Sequence, residues 1–218
     1  MLLYSRDLGR TFASYDSAYA ASPQHFVLAN SAKDLVQKLA AVLPTEAPLT
    51  FLELGCGQGA FLEFAQREIA GRRAPAAPVP RCLGVDGSSV AIAQCAEHFA
   101  KLDWVCDELA QFVNDHEAHL PGQRYDLVLD KSGTTFLKSE ESAIRLLTSV
   151  SGLLAEGGRY VYIASKSFYD DKLKPKAYAG WTTDWLGVAR RIFPYVEDVS
   201  DGGYYRFIFA RQAVPSLL

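Results

Sequence analysis

The chain has 218 residues, a length that fills one well-buried domain and is short for two. Half of it is hydrophobic (49%), and 22 basic against 25 acidic side chains leave a formal charge of -3. That balance excludes a general nucleic-acid binder, which carries a marked basic excess, and no apolar stretch reaches bilayer-spanning length. The opening MLLYSRDLGR carries charges and no apolar core, so no secretory leader is expected and the chain reads as cytoplasmic. Cys56, Cys82, Cys95 and Cys106 show neither CxxC nor metal-site spacing, which predicts reduced core thiols and no metal.

In chain order, Ser22-Pro23 supplies a cap and a first-turn proline for a helix with Leu28, Ala32, Leu35, Leu39 and Val42 on one stripe. Residues 50–54 form a short buried strand, and 60–70 a helix burying Leu62, Ala65 and Ile69. The proline-rich GRRAPAAPVP at 71–80 is a loop. A second strand spans 81–86, and Ser88 or Ser89 caps a helix with Ile92, Cys95, Ala96 and Phe99 at i, i+3, i+4, i+7. Residues 102–106 and 124–130 are the third and fourth strands. A helix over 139–155 buries Leu146, Val150, Leu153 and Leu154 and closes at Gly157-Gly158, ahead of a fifth strand at 159–164.

The rhythm then changes. After a helix near 181–190, strand runs at 192–199 and 204–210 come one after the other, joined by Asp201-Gly202-Gly203, which is hairpin-turn chemistry. The prediction is an α/β fold: a doubly wound, seven-stranded, mostly parallel sheet ending in an antiparallel hairpin. It forms a single domain, with 1–45 a helical cap and acceptor segment before a cofactor-binding core at 46–218.

The stretch TFLELGCGQGAFLEF places Gly55, Gly57 and Gly59 directly after the first core strand, where such a sheet binds its ligand. GCGQGA also satisfies the dinucleotide pattern G-x-G-x-x-G/A, so the glycines alone leave the ligand open. Glu53, inside the strand end, would repel a pyrophosphate and suits a ligand carrying an ammonium group. Asp86 ends the second strand, where a carboxylate accepts hydrogen bonds from two ribose hydroxyls. Asp107 comes directly after the third, placed to accept from an adenine amino group.

ELGCGQG, LGVDGSS, WVCDEL and YDLVLDKSG, in this order and with a terminal hairpin, closely resemble the class I S-adenosylmethionine-dependent methyltransferases, from about Phe51 to Ala210. The resemblance implies S-adenosylmethionine as cofactor and S-adenosylhomocysteine as product. It implies that Glu53, Gly55 and Gly57 surround the methionine part, with Cys56 and Gly59 in the same turn. Asp86 would hold the ribose beside Gly87 and Ser88, and Asp107 and Glu108 would neighbour the adenine.

LVLDKSGTTF resembles the D-K-G-T-x-D segment of a subgroup that includes lysine methyltransferases acting on elongation factors. There the positions of Asp130 and Lys131 lie at the cofactor–acceptor junction, so Asp130 is expected both beside the cofactor and, with Lys131, in catalysis. Ser132 is an insertion relative to that pattern, and the later acidic position holds Thr135 or Phe136. The plain alternative for the pair is a strand-end salt bridge. Tyr15 and Tyr19, with Asp16, precede the core in a segment that in similar enzymes folds over the cofactor and borders the acceptor pocket; packing on a helix start accounts for the tyrosines equally well. Lys166 lies in the run SKSFYDDKLKPKAYAGW (165–181), either an acceptor lid or a solvated loop. In NDHEAHL, His116, Glu117 and His119 lack a third metal ligand, so a surface helix end is expected.

The functional expectation is methyl transfer to a nitrogen or oxygen nucleophile, a protein lysine being favoured by the D-K-(S)-G-T segment. A small-molecule acceptor is the alternative, and a nicotinamide oxidoreductase or a non-catalytic cofactor-binding subunit are further ones. The partner is the methyl acceptor, with no nucleic acid and no membrane, in a monomer or homodimer. No N/D-P-P-Y/F segment of base-modifying enzymes stands after the fourth strand.

Overall fold

The computed structural model describes residues 1–5, 13–21, 30–131, 133, 139–165, 185–201 and 203–217. The chain divides into two units, residues 1–112 and 113–218.

The first unit runs β1 (Leu2–Ser5), α1 (Ala13–Ala21), α2 (Asn30–Val42), β2 (Thr50–Leu54), α3 (Ala60–Ala70), β3 (Arg81–Asp86), α4 (Ser89–His98) and β4 (Asp103–Cys106), then enters α5 (Leu109–His119). Its strands stand in the order β1-β4-β3-β2, and all neighbours are parallel. Parallel strands need a crossover, and the helical periodicity between successive strands supplies it. The core strands are buried almost throughout: Phe51, Leu52, Leu54, Val85, Trp104 and Val105 are all inaccessible. Stripe residues Leu35 and Leu39 of α2 are likewise sealed off, each contributing about 1.5–3 kcal/mol of apolar burial. At the foot of that helix Leu43 is buried and Val42 only half-buried, because the apolar face has drifted by one residue. The start expected at Ser22-Pro23 lies outside the described residues.

The second unit contains β5 (Tyr125–Lys131), α6 (Glu140–Leu153), β6 (Leu154–Ser165), α7 (Trp185–Ile192), β7 (Tyr195–Asp198) and β8 (Tyr204–Ala210). The strand order is β5-β6-β8-β7. β5 and β6 are parallel, while β8 pairs antiparallel with both β6 and β7. The hairpin turn is built by Asp201, whose Oδ1 accepts the N–H groups of Gly203 (2.9 Å) and Tyr204 (2.8 Å). Its other oxygen pairs with the Arg206 guanidinium. Ser139 caps α6, its hydroxyl accepting from the Ser142 N–H at 3.1 Å.

All seven expected strands are present, and the mostly parallel arrangement with a reversed C-terminal hairpin is as predicted. β1 adds an eighth, pairing beside β4 through residues too few and too mixed to announce a strand. Gly157 and Gly158 do not close α6. The helix ends at Leu153, and the glycines fall inside β6 where its register against Tyr125 and Leu127 shifts. Turn residues within a bulge and after a helix read alike in sequence. All four cysteines are free and buried. Among the described residues no helix is long and apolar enough to cross a membrane.

Candidate cofactor site

Register brings the ends of β2, β3 and β4 level, with Leu54 opposite Val85 and Asp86 opposite Cys106. The chain leaving β2 stays tethered there, since the N–H groups of Gly55 and Cys56 both donate to the Val85 carbonyl, at 2.9 and 3.0 Å. It then turns through left-handed conformations at Gly57 (φ 51°) and Gly59 (φ 77°). A side chain is crowded at both. A Cβ on Gly57 would stand 2.8 Å from the Tyr19 hydroxyl, and one on Gly59 would stand 2.5 Å from the Trp104 ring and 3.0 Å from the Cys95 sulfur. Gly59 then opens α3 with no side-chain cap. The positive end of that helix therefore faces the turn, an environment suited to an anion such as a carboxylate.

Asp86 links this turn to the next one. Its Oδ2 accepts the Gly57 N–H (2.9 Å) and its Oδ1 the Ser88 N–H (2.8 Å). A carboxylate has about four acceptor sites, so Asp86 keeps capacity for a further donor. Burial raises the Asp86 pKa above its ordinary 3.8, and the Asp16 charge adds to the rise; the Ser88 and Gly57 N–H groups oppose it. Ser88 is fully buried and caps α4, accepting from the Ala91 N–H at 3.2 Å while donating to Asp16 Oδ1 at 2.6 Å. Gly87 is buried beside it.

Past β4, the fully buried Asp107 accepts the Glu108 N–H at 2.8 Å, and its own N–H donates to the Asp86 carbonyl at 3.0 Å. The Glu108 carboxylate is engaged by the start of α5, accepting from Ala110 (3.2 Å) and Gln111 (2.9 Å). Glu53 is held at 2% exposure in β2, and Cys56 is buried with its thiol pushed well up by that burial. Burying a carboxylate is costly unless a cation or hydrogen-bond donors answer it. The first unit thus gathers Glu53, Gly55, Cys56, Gly57, Gly59, Asp86, Gly87, Ser88, Asp107 and Glu108 at one set of strand ends. Tyr19, at 4% exposure on α1, belongs to the same group through Gly57; Tyr15 lies on α1 as well.

These residues fit a ligand that combines an amino acid with a nucleoside. The uncapped helix start could hold a carboxylate, Glu53 an ammonium, Asp86 a pair of hydroxyls and Asp107 an amino donor.

Within the second unit, Asp130 and Lys131 end β5. Asp130 is fully buried and accepts the Tyr160 hydroxyl at 2.7 Å. Tyr160 is itself fixed by stacking on Phe193 and Phe209, at centroid distances of 5.9 and 5.6 Å. The sequence held no signal for this donor, because Tyr160 sits in an unbroken apolar strand and the pairing is across strands. Ser132 and Lys166 lie outside the described residues. His116 is not on the surface: it is buried, bonded to the Tyr125 hydroxyl at 2.9 Å, and burial lowers its pKa. Among the described residues no three His, Cys, Asp or Glu groups converge as a metal site.

Comparison with solved structures places this fold among methyltransferases. The TehB-like SAM-dependent methyltransferase of Corynebacterium glutamicum superposes with a TM-score of 0.58 at 18% identity, over 93% of this chain and 97% of its own. The N-methyltransferase NodS of Bradyrhizobium japonicum, in complex with S-adenosyl-L-homocysteine, gives 0.62 at 18% identity, over 92% of this chain and 99% of its own. An O-methyltransferase family protein from Burkholderia thailandensis gives 0.62 at 16% identity, over 94% of this chain and 60% of its own. No curated protein sequence matches the chain. The family model described as a methyltransferase domain matches residues 52–160, half of the chain, from the strand before the glycine turn to the tyrosine that holds Asp130, and the protein belongs to that methyltransferase family.

Proposed function

We propose that the protein transfers a methyl group from S-adenosylmethionine to a nitrogen or oxygen nucleophile, and that a protein lysine is the acceptor. Asp86 carries the cofactor reading: backbone N–H groups of Gly57 and Ser88 fix its carboxylate at a strand end, and the carboxylate keeps acceptor capacity for the ribose hydroxyls. When bound, the cofactor supplies a methyl carbon already activated by a positively charged sulfur. The chain's own work is therefore alignment and management of the acceptor's proton. Glu53 and the start of α3 orient the amino-acid end, and Asp107 accepts from the adenine amino group. NodS, solved with S-adenosyl-L-homocysteine on a similar fold, supports the same cofactor.

The lysine acceptor rests on the resemblance of the stretch from Asp130 to Thr135 to the D-K-G-T segment. In this reading the Tyr160 hydroxyl holds the Asp130 carboxylate in one orientation, so that it directs the incoming ammonium and, as general base, accepts the proton that the amine gives up before it takes the methyl group. The test is transfer of labelled methyl from S-adenosylmethionine into a cell extract separated by size, with Asp130→Ala in parallel. Label in a discrete protein band, absent with the variant, is the expected result. Label confined to the low-mass fraction would replace the lysine with a small-molecule acceptor, and no label in any fraction would remove the activity.

A further inference from the structure

The N-terminal helix α1 touches the cofactor residues at two points one turn apart. Asp16 Oδ1 accepts from the Ser88 hydroxyl at 2.6 Å and from the Val90 N–H at 3.3 Å. Ser88 has one hydroxyl proton, and Asp16 takes it; the oxygen of the same hydroxyl accepts from Ala91, and the Ser88 N–H holds Asp86. Three residues along the same face, the buried Tyr19 hydroxyl stands over Gly57, whose N–H holds the other oxygen of Asp86. Gln94 closes the arrangement, its amide donating to the Tyr19 carbonyl at 3.5 Å and accepting from Gln58 in the glycine turn at 2.9 Å. Both oxygens of Asp86 are thus held by backbone that α1 braces.

Asp16 takes one first-turn N–H of α4, that of Val90, at a long 3.3 Å, but helix capping does not require it. Ser88 already caps α4, and a second carboxylate beside Asp86 adds like-charge repulsion. What Asp16 adds is a fixed Ser88, hence a fixed Asp86.

We infer that Asp16 is a positioning residue for cofactor binding: through Ser88 it sets the orientation of Asp86 and couples the docking of α1 to occupancy of the site. The inference rests on the cofactor reading above. Coupling of this kind is reciprocal, so the ligand must tighten α1 as much as α1 tightens the ligand.

S-adenosylhomocysteine is the probe. Its affinity would be measured by calorimetry for Asp16→Ala, Asp16→Asn, Ser88→Ala, the Asp16→Ala/Ser88→Ala double variant and Asp86→Ala. Hydrogen exchange of residues 13–21 would be monitored with and without the ligand. Asp16→Ala is expected to weaken binding about tenfold, and Asp16→Asn, which keeps the acceptor oxygen, less than about threefold. Ser88→Ala acts through the same link, so the double variant should be no weaker than the weaker single one. The ligand should slow exchange in α1 of the native protein and leave it unchanged in Asp16→Ala. A purely structural Asp16 would lower the melting temperature and leave affinity and ligand-dependent exchange alone, which would overturn the inference. So would equal loss in Asp16→Asn and Asp16→Ala. Undiminished binding by Asp86→Ala would instead remove the cofactor reading; loss there with normal binding by Asp16→Ala removes only the role of Asp16.

Discussion

Gly59→Ala separates the architecture of the glycine turn from its ligand chemistry. At φ 77° a side chain costs about 1–2 kcal/mol from the left-handed backbone alone. The new Cβ also lands 2.5 Å from Trp104 Cη2 and 3.1 Å from Cζ3 of the same ring. That ring is fully buried and has no room to swing away, so overpacking adds about 1–3 kcal/mol. The sum, about 2–5 kcal/mol, corresponds to a fall in melting temperature of roughly 4–20 °C for a chain of this size. Gly57→Ala has a similar backbone penalty, but its Cβ meets only the hydroxyl at the free end of Tyr19, which can yield. Its expected cost is about 1–2 kcal/mol and roughly 2–8 °C. Thermal unfolding by circular dichroism, without ligand, compares them directly. A Gly59→Ala protein that melts with the native one, or a Gly57→Ala protein that melts lower than Gly59→Ala, would refute the roles of Trp104 and Tyr19 in closing the turn.

Gly84→Ala pushes a methyl group into the Trp104 ring from within β3 and to 3.0 Å from the Cys56 sulfur, so thermal melts should show a loss of about 1–3 kcal/mol without any left-handed strain. Affinity for S-adenosylhomocysteine should fall as pH drops from neutral toward the ordinary carboxylate range. In the cofactor reading, protonation of Asp86, whose pKa is raised chiefly by burial, removes the charge proposed to accept the ribose hydroxyls; an affinity that stays flat in calorimetry across that range would refute this. Burial depresses the His116 pKa below 6.5, so the unfolded chain binds the proton more tightly. Stability is full above 6.5 and declines as pH falls below it, and denaturant titrations of His116→Gln should show a shallower decline. Asp130→Ala withdraws the acceptor from a buried tyrosine hydroxyl and should cost about 1–3 kcal/mol, whereas Asp130→Asn keeps an acceptor oxygen and most of the stability. If both variants unfold alike in urea, the Tyr160 bond is not what holds Asp130.

The parts of this fold that sequence reveals are those with a short-range physical signature. Alternating strand and helix periods locate β2 to β6 because each helix must bury one stripe on the sheet, and Asp201-Gly202-Gly203 locates the hairpin because few residues turn so tightly. The glycine turn, Asp86 and Asp107 are legible because each comes directly at a strand end. What sequence hides are contacts between segments far apart in the chain. Asp16 meets Ser88 across 72 residues, Tyr160 meets Asp130 across 30, and neither pair has a spacing rule. Trp104 under Gly59 and Gly84 does leave a trace, since a glycine inside a buried strand marks close approach, but its partner cannot be named without coordinates. The N–H groups that Glu108 receives from α5 are a cap whose acceptor oxygens sit one residue before the helix, and an acid there reads equally as a ligand contact.

The central claim is that the strand-end carboxylates and glycine turn of the first unit hold S-adenosylmethionine. Isothermal titration of the purified protein with S-adenosylhomocysteine, beside NAD and beside the Gly57→Val and Asp86→Ala variants, tests it most directly. The predicted result is saturable one-to-one binding of S-adenosylhomocysteine by the native chain, none of NAD, and loss of binding in both variants. Binding that persists in both variants, or a preference for NAD, would contradict the claim.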